Sequence, residues 1–166
     1  MLLQILTVTL VLLANSAAEN EDRHSYSGEY GSASGTPFSY SGPHRWGPIT
    51  AFRVWEYPYY YIYGIQLQFA HRWSESYGLQ RGTKHEVTLF RGELITQVSG
   101  KHSTYIYQLI ISTSHGRIFF FGQPYGTCFN AFPLDCTDVL AFLTGHHNGA
   151  GITGLGMHWA EPEKRE

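Results

Sequence analysis

A glycine-rich segment late in the chain, Thr144–Trp159, has the residue types of a ligand-binding loop that leads into a strand. Glycine allows backbone N–H groups to approach a ligand closely because it carries no Cβ. The alternation that follows would direct Leu155, Met157 and Trp159 inward and so hold the loop in place. Such a site suits the binding of a neutral polyol better than it suits a reaction.

Motifs that would support a catalytic centre are absent from the sequence. There is no nucleophile elbow G-x-S-x-G, no G-x-x-x-x-G-K-[ST], and no G-x-G-x-x-G that opens a helix. The carboxylates are few, and Glu86, Glu93 and Asp138 lie at predicted strand edges or turns. A glycosidase needs two carboxylates that face each other across a cleft. We therefore expect no enzyme activity.

The nine histidines do not form a metal-binding pattern, because they are scattered and neither H-x-x-x-H nor H-E-x-x-H occurs. His146 and His147 are adjacent, so they would point in different directions on an extended chain. We expect no metal and no cofactor. Since histidine titrates near neutral pH, this pair could make ligand binding depend on pH, although two solvated loop histidines are the simpler interpretation.

The charge of the chain argues against two classes of partner. The 166 residues carry a net charge of −2, with no excess of Lys or Arg to neutralise phosphates. We therefore expect neither nucleic acid nor an anionic membrane surface as a partner.

Residues 1–18 have the pattern of a secretory signal peptide. An almost unbroken apolar run, Leu2–Leu13, is followed by small residues of the kind that a signal peptidase requires. A buried strand and a membrane anchor are the alternatives, but a run of this length is shorter than the roughly 20 residues that a bilayer span needs. We predict secretion and no membrane span.

Short runs that alternate between apolar and polar residues predict an all-β chain. The clearest places Ile65, Leu67 and Phe69 on one face and two glutamines on the other. The other predicted strands are Ile49–Trp55, Glu86–Phe90, Leu94–Val98, Tyr105–Ser112, Arg117–Phe121, Val139–Leu143 and Leu155–Trp159. Strands at this spacing are typical of a sandwich, barrel or prism.

The remaining segments complete one predicted domain. Residues 19–24 form a polar arm, residues 25–160 form the domain, and residues 161–166 form a polar tail. The segment Ser25–Gly47 is dense in Gly, Ser and Tyr and could be a flexible linker, but its aromatic residues favour an ordered loop-and-strand region.

Two cysteines, Cys128 and Cys136, are expected to form a disulfide if the chain is exported through an oxidising compartment. Such a small ring would stabilise the fold by roughly 2.5 kcal/mol in the loop-entropy model. The alternative is two unpaired thiols, since a disulfide requires close Cα atoms.

A run of tyrosines between Tyr57 and Tyr63 cannot be buried completely, because neighbours on an extended chain point to opposite faces. An exposed tyrosine suits stacking on the C–H face of a sugar or contact with a protein partner. The simpler interpretation is a set of amphipathic strand residues with hydrated hydroxyls.

The order and spacing of five segments resemble the jacalin-related lectins. These segments are Ser25–Gly31, Gly47–Val54, Val98–Lys101, Gly116–Gly122 and Leu155–Trp159. The resemblance implies a β-prism of three Greek-key sheets, secretion through secretory granules, and no catalysis, metal or cofactor. It also implies a carbohydrate site formed by three loops at one end of the prism.

The first of these loops, by resemblance, contributes Gly31, Ser34 and Gly35 to the site. The family form of this loop is richer in glycine, and Ala33 and Ser34 replace glycines here. By the same resemblance, Thr36–Pro37 stand at positions that are basic in related members of the family, which weakens the case for contact with acidic glycans.

The second and third loops supply the other expected contacts. Tyr105 matches an aromatic residue that can flank the sugar, and Gly149, Ala150, Gly151 and Thr153 match the family motif G-x-x-x-D. Thr153 replaces the Asp. Loss of an ionised acceptor should cost roughly 1.5–3 kcal/mol of binding free energy, so we expect altered or weakened monosaccharide binding.

Two functions follow from this resemblance. The first is a secreted lectin whose partners are mannose-type glycans, proteoglycans or bacterial cell-wall polysaccharides. The second is a protein of the same fold that has lost sugar binding and acts through protein contacts. Tyr105 and the glycine-rich third loop favour the first function, whereas Thr153 and the tyrosine run favour the second.

Overall fold

The computed structural model of the protein describes residues 24–162, and within this range the chain is almost entirely β-strand. The strands are β1 (His24–Gly31), β2 (Thr36–Ser39), β3 (Ile49–Glu56), β4 (Ile62–Phe69), β5 (Arg72–Gly78), β6 (Thr83–Thr88), β7 (Ile95–His102), β8 (Ile106–Thr113), β9 (Ile118–Gly122), β10 (Thr127–Ala131), β11 (Val139–His147) and β12 (Ile152–Ala160). One helical turn, α1 (Ser41–His44), follows β2. The predicted signal peptide, residues 1–18, lies outside the described residues.

The strands form three antiparallel sheets of four strands each. Their orders are β1-β12-β11-β2 in the first sheet, β5-β4-β3-β6 in the second and β10-β7-β8-β9 in the third. In the second and third sheets three consecutive strands form hairpins and the fourth returns beside the first, which is the Greek-key order. The first sheet has the corresponding arrangement, but its strands come from both ends of the domain, and β1 pairs with β12. The predicted all-β prism is confirmed.

Apolar side chains from all three sheets meet in one core. Ile65, Leu67 and Phe69 of β4 are buried, whereas the two glutamines between them are half-buried, as the alternation predicts. Trp159 of β12 is fully buried, and its indole N–H donates to Ser27 Oγ at 2.6 Å. Leu155, Met157 and Trp159 of β12 are all buried, as the alternation predicts.

Four strands were not predicted individually: β5 and β10, and also β1 and β2, which lie in the segment predicted only as a loop-and-strand region. The sequence of β5 contains mostly polar residues, and its backbone pairs with β4 along the edge of the second sheet. Backbone pairing at an edge requires no apolar alternation, so the sequence pattern does not reveal this strand. The predicted strand Glu86–Phe90 is displaced, since β6 ends at Thr88.

The predicted disulfide is not present. Cys128 and Cys136 are both free and exposed. Cys128 lies on β10, where it pairs with Lys101 of β7. Cys136 lies in a tight turn in which Asp135 Oδ1 accepts from the Thr137 N–H at 2.9 Å. Each cysteine is thus placed by local contacts of its own rather than by a bridge.

Candidate functional site

The three loops predicted to form the site lie together at one end of the prism, which we call the loop end. Ser32 Oγ of the first loop donates to Thr104 O of the second loop at 2.7 Å. Asn148 Nδ2 of the third loop donates to the Tyr105 hydroxyl of the second at 3.0 Å. The first loop also meets β12, the strand that follows the third loop, where Ser32 N donates to Thr153 O at 2.9 Å. Direct hydrogen bonds therefore connect all three loops.

Two glycines allow the first loop to lie close against β11 and β12. Gly31 and Gly35 have φ values of 115° and 103°, which disfavour residues with a Cβ. A Cβ on Gly31 would lie 2.2 Å from Thr153 O, and one on Gly35 would lie 2.4 Å from His147 O. The space that these glycines leave is filled by backbone of the neighbouring strands. In this structure both residues shape the first loop.

Thr153 connects β12 to the first loop and is fully buried. Its hydroxyl donates to Ser34 O at 2.5 Å, and its own carbonyl accepts from Ser32 N. A carboxylate at this position could not donate to Ser34 O, because an ionised Asp only accepts hydrogen bonds. Thr153 therefore makes a connection between strand and loop that an ionised Asp could not make.

The third loop is shorter than the glycine-rich segment suggested and contains only residues 148–151. β11 continues to His147, and its Gly145 pairs with Leu155 of β12. A Cβ on Gly145 would lie 2.2 Å from Gly154 O, so this close approach requires glycine. Several glycines of this segment thus serve close strand packing.

Asn148 organises the loop itself and was not predicted as a site residue. Its Oδ1 accepts from the N–H groups of Ala150 at 2.9 Å and Gly151 at 3.1 Å. Its own N–H donates to Gly151 O at 3.1 Å. The Asn148–Gly149 dipeptide is a strong turn signal, which could have identified this residue.

His146 and His147 lie on β11, so the interpretation of two solvated loop histidines is wrong. His146 Nδ1 lies 2.7 Å from Glu29 Oε1 of β1, and both side chains are half-buried. The His147 ring packs against the rings of Phe38 and Tyr77 at centroid distances of 6.1 Å. Both side chains stabilise contacts within or beside the first sheet.

Tyr61 belongs to the tyrosine run identified in the sequence, but it was not predicted as a residue of the three-loop site. Its ring stacks on the Tyr105 ring with centroids 3.8 Å apart and planes 12° apart. It also packs against the third loop, where a Cβ on Gly151 would lie 2.7 Å from the Tyr61 ring. Burial, and then the neighbouring Tyr105, raise the pKa of Tyr61, so its hydroxyl stays neutral at physiological pH.

The polar groups that join the three loops are neutral hydroxyls, amides and backbone groups, from Ser32, Ser34, Thr104, Tyr105, Asn148 and Thr153. Among residues 24–162 no group of three or more His, Cys, Asp or Glu side chains is arranged to hold a metal ion. Over the same residues, no helix has the length and apolar character to span a membrane. The arrangement suits hydrogen bonding and ring stacking with an uncharged polar ligand.

The opposite end of the prism has different chemistry, and we call it the clamp end. Glu93 is buried there, and Arg117 Nε donates to its Oε1 at 2.8 Å. The same carboxylate accepts from Thr113 Oγ1 at 2.5 Å and from the Phe90 N–H at 2.8 Å. These hydrogen bonds, led by the one from Arg117, lower the pKa of Glu93 to about 2.

A cavity of about 700 Å³ also lies at the clamp end. Glu93 belongs to its wall, and none of the predicted site residues does. The buried carboxylate is fully occupied by hydrogen bonds, so we assign the clamp a structural role.

Comparisons with known proteins agree with the fold. The sequence profile of the family described as "Jacalin-like lectin domain" matches residues 27–158. Zymogen granule membrane protein 16 of Mus musculus is 44% identical, over 90% of this chain and 90% of its own. A prostate-specific WGA16 glycoprotein lectin has a similar structure, with a TM-score of 0.67 and 32% identity over 87% of this chain and 95% of its own. Artocarpin complexed with methyl-α-mannose shares the fold at 16% identity, with a TM-score of 0.69 over 84% of this chain and 99% of its own.

Proposed function

The chain belongs to the jacalin-like lectin domain family, and on that premise we propose that it is a secreted protein that binds neutral glycans at the loop end without catalysis. The contact between the second and third loops supports this function most directly. Asn148 Nδ2 donates to the Tyr105 hydroxyl, so an aromatic ring is held beside a turn with backbone N–H groups. Ring faces and fixed polar groups are the two elements that sugar recognition needs.

The expected contacts with the sugar are those that the sequence predicted in the exposed parts of the loops. Ser34 lies on the exposed first loop, Gly149 is exposed on the third, and Tyr105 is half-buried between them. Gly31, Gly35, Ala150, Gly151 and Thr153 complete the proposed site by fixing the loop backbones.

Thr153 gives the proposed site its weakness toward single sugars. Its hydroxyl is already used by Ser34 O, so it does not replace the carboxylate that an Asp would offer. Without an ionised acceptor, monosaccharide affinity should be about tenfold to a hundredfold lower than in a site that has one.

Neutral partners fit the loop end better than acidic ones. Thr36 and Pro37, at the start of β2, carry no charge with which to bind a sulfate or carboxylate. We therefore place mannose-type glycans and bacterial cell-wall polysaccharides ahead of proteoglycans. The name of the relative, zymogen granule membrane protein 16, supports export through secretory granules.

A glycan array tests this function with the mature protein beside two variants, Tyr105→Ala and Phe132→Ala. Phe132 is 58% exposed and follows β10 at the clamp end, so it is a matched control. We expect the wild type and the control to bind the same neutral glycans and the Tyr105 variant to lose them. Equal binding by all three proteins would contradict the assigned site.

A second candidate function, protein contact without sugar binding, is favoured by the occupied Thr153 hydroxyl. A Thr153→Asp variant on the same array separates the two functions. Glycan binding by the Asp variant alone would mean that this chain has left sugar recognition. Binding by the wild type would exclude that outcome.

A further inference from the structure

A continuous group of tyrosines adjoins the candidate site, and we call it the tyrosine strip. Its members are Tyr57, Tyr60, Tyr61, Tyr105, Tyr107 and Tyr125. The ring of Tyr61 is its centre, with centroids 3.8 Å from Tyr105, 5.9 Å from Tyr107 and 6.4 Å from Tyr60. The strip extends to Tyr57, 5.9 Å beyond Tyr60, and to Tyr125, 4.7 Å beyond Tyr107.

The outer rings of the strip are open to solvent. Tyr57, Tyr60 and Tyr125 are 53%, 52% and 57% exposed, whereas the inner three rings are half-buried. Adjacent large aromatic rings left exposed in this way commonly mark a binding surface. The strip therefore offers both ring faces and hydroxyls to a partner.

Hydrogen bonds between separate turns fix the backbone that carries these rings. Gln123 Nε2 donates to Tyr60 O at 3.2 Å, and Gln123 N donates to Tyr107 O at 2.9 Å. Tyr125 N in turn donates to Gln123 O at 2.8 Å. Because this backbone is ordered before any ligand arrives, less conformational entropy is lost on binding.

The strip is continuous with the third loop. Tyr105 accepts the hydrogen bond from Asn148, and the Tyr61 ring lies 2.7 Å from the position that a Cβ on Gly151 would take. A sugar held by the loops would thus have the strip beside it, and the next residues of the same glycan could reach the exposed rings.

The chemistry of the strip favours an uncharged chain. Its six side chains are all neutral phenols, and burial raises the pKa of Tyr61 and Tyr107, so these hydroxyls stay protonated. Flat apolar faces suit the C–H faces of pyranose rings, and the phenol hydroxyls suit their OH groups. Neither feature would recognise a sulfate or a phosphate.

We propose that the tyrosine strip is an extended subsite for the further residues of a neutral oligosaccharide or polysaccharide whose first residue occupies the three-loop site. This inference rests on the proposed lectin function and adds chain length to its specificity. The strip would also compensate for the weak monosaccharide site, because stacking of several sugar residues on its rings would supply affinity that Thr153 does not.

Calorimetric titration with sugars of increasing length tests the subsite. The probes are α-linked manno-oligosaccharides and β-1,4-linked N-acetylglucosamine oligosaccharides, each from one to six residues long. A Tyr60→Ala/Tyr125→Ala double variant is compared with the wild type. The control is Phe132→Ala/Leu134→Ala, which removes two side chains that are 58% and 92% exposed at the clamp end.

We expect affinity for at least one series to rise about tenfold or more with length in the wild type and the control. The tyrosine double variant should lose this rise and keep its affinity for the single sugar. Thermal unfolding of each variant checks that the fold is unchanged.

Three results would overturn the inference. A rise with length that survives in the double variant would leave the lectin function standing and remove the subsite. Loss of single-sugar binding in a folded double variant would mean that the strip is part of the first site. Absence of binding to both series would reject the subsite, and the glycan array would then decide the lectin function separately.

Discussion

The loop end and the clamp end close the same prism with opposite chemistry. At the loop end, neutral groups meet, as in the hydrogen bond from Thr153 Oγ1 to Ser34 O and the stacked rings of Tyr61 and Tyr105. At the clamp end, the buried Glu93 carboxylate binds the Arg117 guanidinium through two nitrogens. The first end depends on shape and close backbone approach, and the second depends on charge.

This difference separates stability from recognition. A buried ion pair is expensive to break, because the remaining charge is left without a partner. Neutral loop contacts are individually worth about 1 kcal/mol, so side chains there can change without loss of the fold. The Glu93–Arg117 pair therefore tolerates little variation, while exposed side chains of the loops can change with little cost in stability.

The largest expected effect is that of removing the clamp carboxylate. Glu93→Ala should lower the free energy of unfolding by about 3–5 kcal/mol, because Arg117 loses a buried partner. Urea unfolding measures this change. Glu86→Ala is the matched control, since it breaks the Arg53 pair whose carboxylate is 41% exposed, and it should cost less than about 1 kcal/mol. Similar losses in the two variants would contradict the contrast between buried and exposed pairs.

Acid should weaken the clamp end selectively. The pKa of Glu93 is lowered from 4.5 to about 2 in the folded protein, so the ionised carboxylate stabilises the fold fully above about pH 5. This contribution, roughly 3 kcal/mol, is lost as the pH falls through about 2. Unfolding measured between pH 5 and pH 2 should be less pH-dependent in Glu93→Gln. An unchanged dependence in that variant would assign the acid sensitivity to other groups.

A glycine at each end sharpens the comparison further. Gly31→Ala should cost about 2–3 kcal/mol and impair glycan binding, because φ is 115° and the new Cβ would lie 2.2 Å from Thr153 O. Gly92→Ala at the clamp end should cost only about 1 kcal/mol, since φ is 77° but no atom lies within 4 Å of the new Cβ. Chemical unfolding of both variants, with titration of the wild type's best array glycan, tests the pair. Equal costs would mean that backbone approach does not limit the first loop.

The smallest effect concerns the hydroxyl of Thr153. Thr153→Val keeps the shape and removes the donor to Ser34 O, so we expect a loss of about 1 kcal/mol in unfolding free energy. Thr153→Ser keeps the donor and serves as the control. If Val is as stable as Ser, the connection from β12 to the first loop contributes nothing measurable.

The core elements were predictable from alternation because burial there follows the side-chain period. Ile65, Leu67 and Phe69 show this, and so does the confirmed prism. The edge strand β5 was not predictable, since its residues are joined to β4 by backbone bonds that leave no pattern in side-chain type.

Local sequence was less informative about the site, because contacts between distant residues decide it. The predicted site residues Gly31 and Thr153 lie together, but what each does depends on a backbone carbonyl from the other loop or strand. The turn signal at Asn148 and the tyrosine run around Tyr61 are visible in the sequence, but their contacts with Tyr105 and Gly151 are not, so neither residue was assigned to the site.

The first sheet places a condition on when the site can form. Gly31 and Gly154 are paired in it, although they belong to the first and last strands of the prism. Closing so long a loop is slow, so the second and third sheets, built from hairpins of neighbouring strands, can form earlier. A ribosome-bound chain that lacks β12 would have no place for the first and third loops to meet. The proposed glycan site would thus be complete only in a chain synthesised through β12.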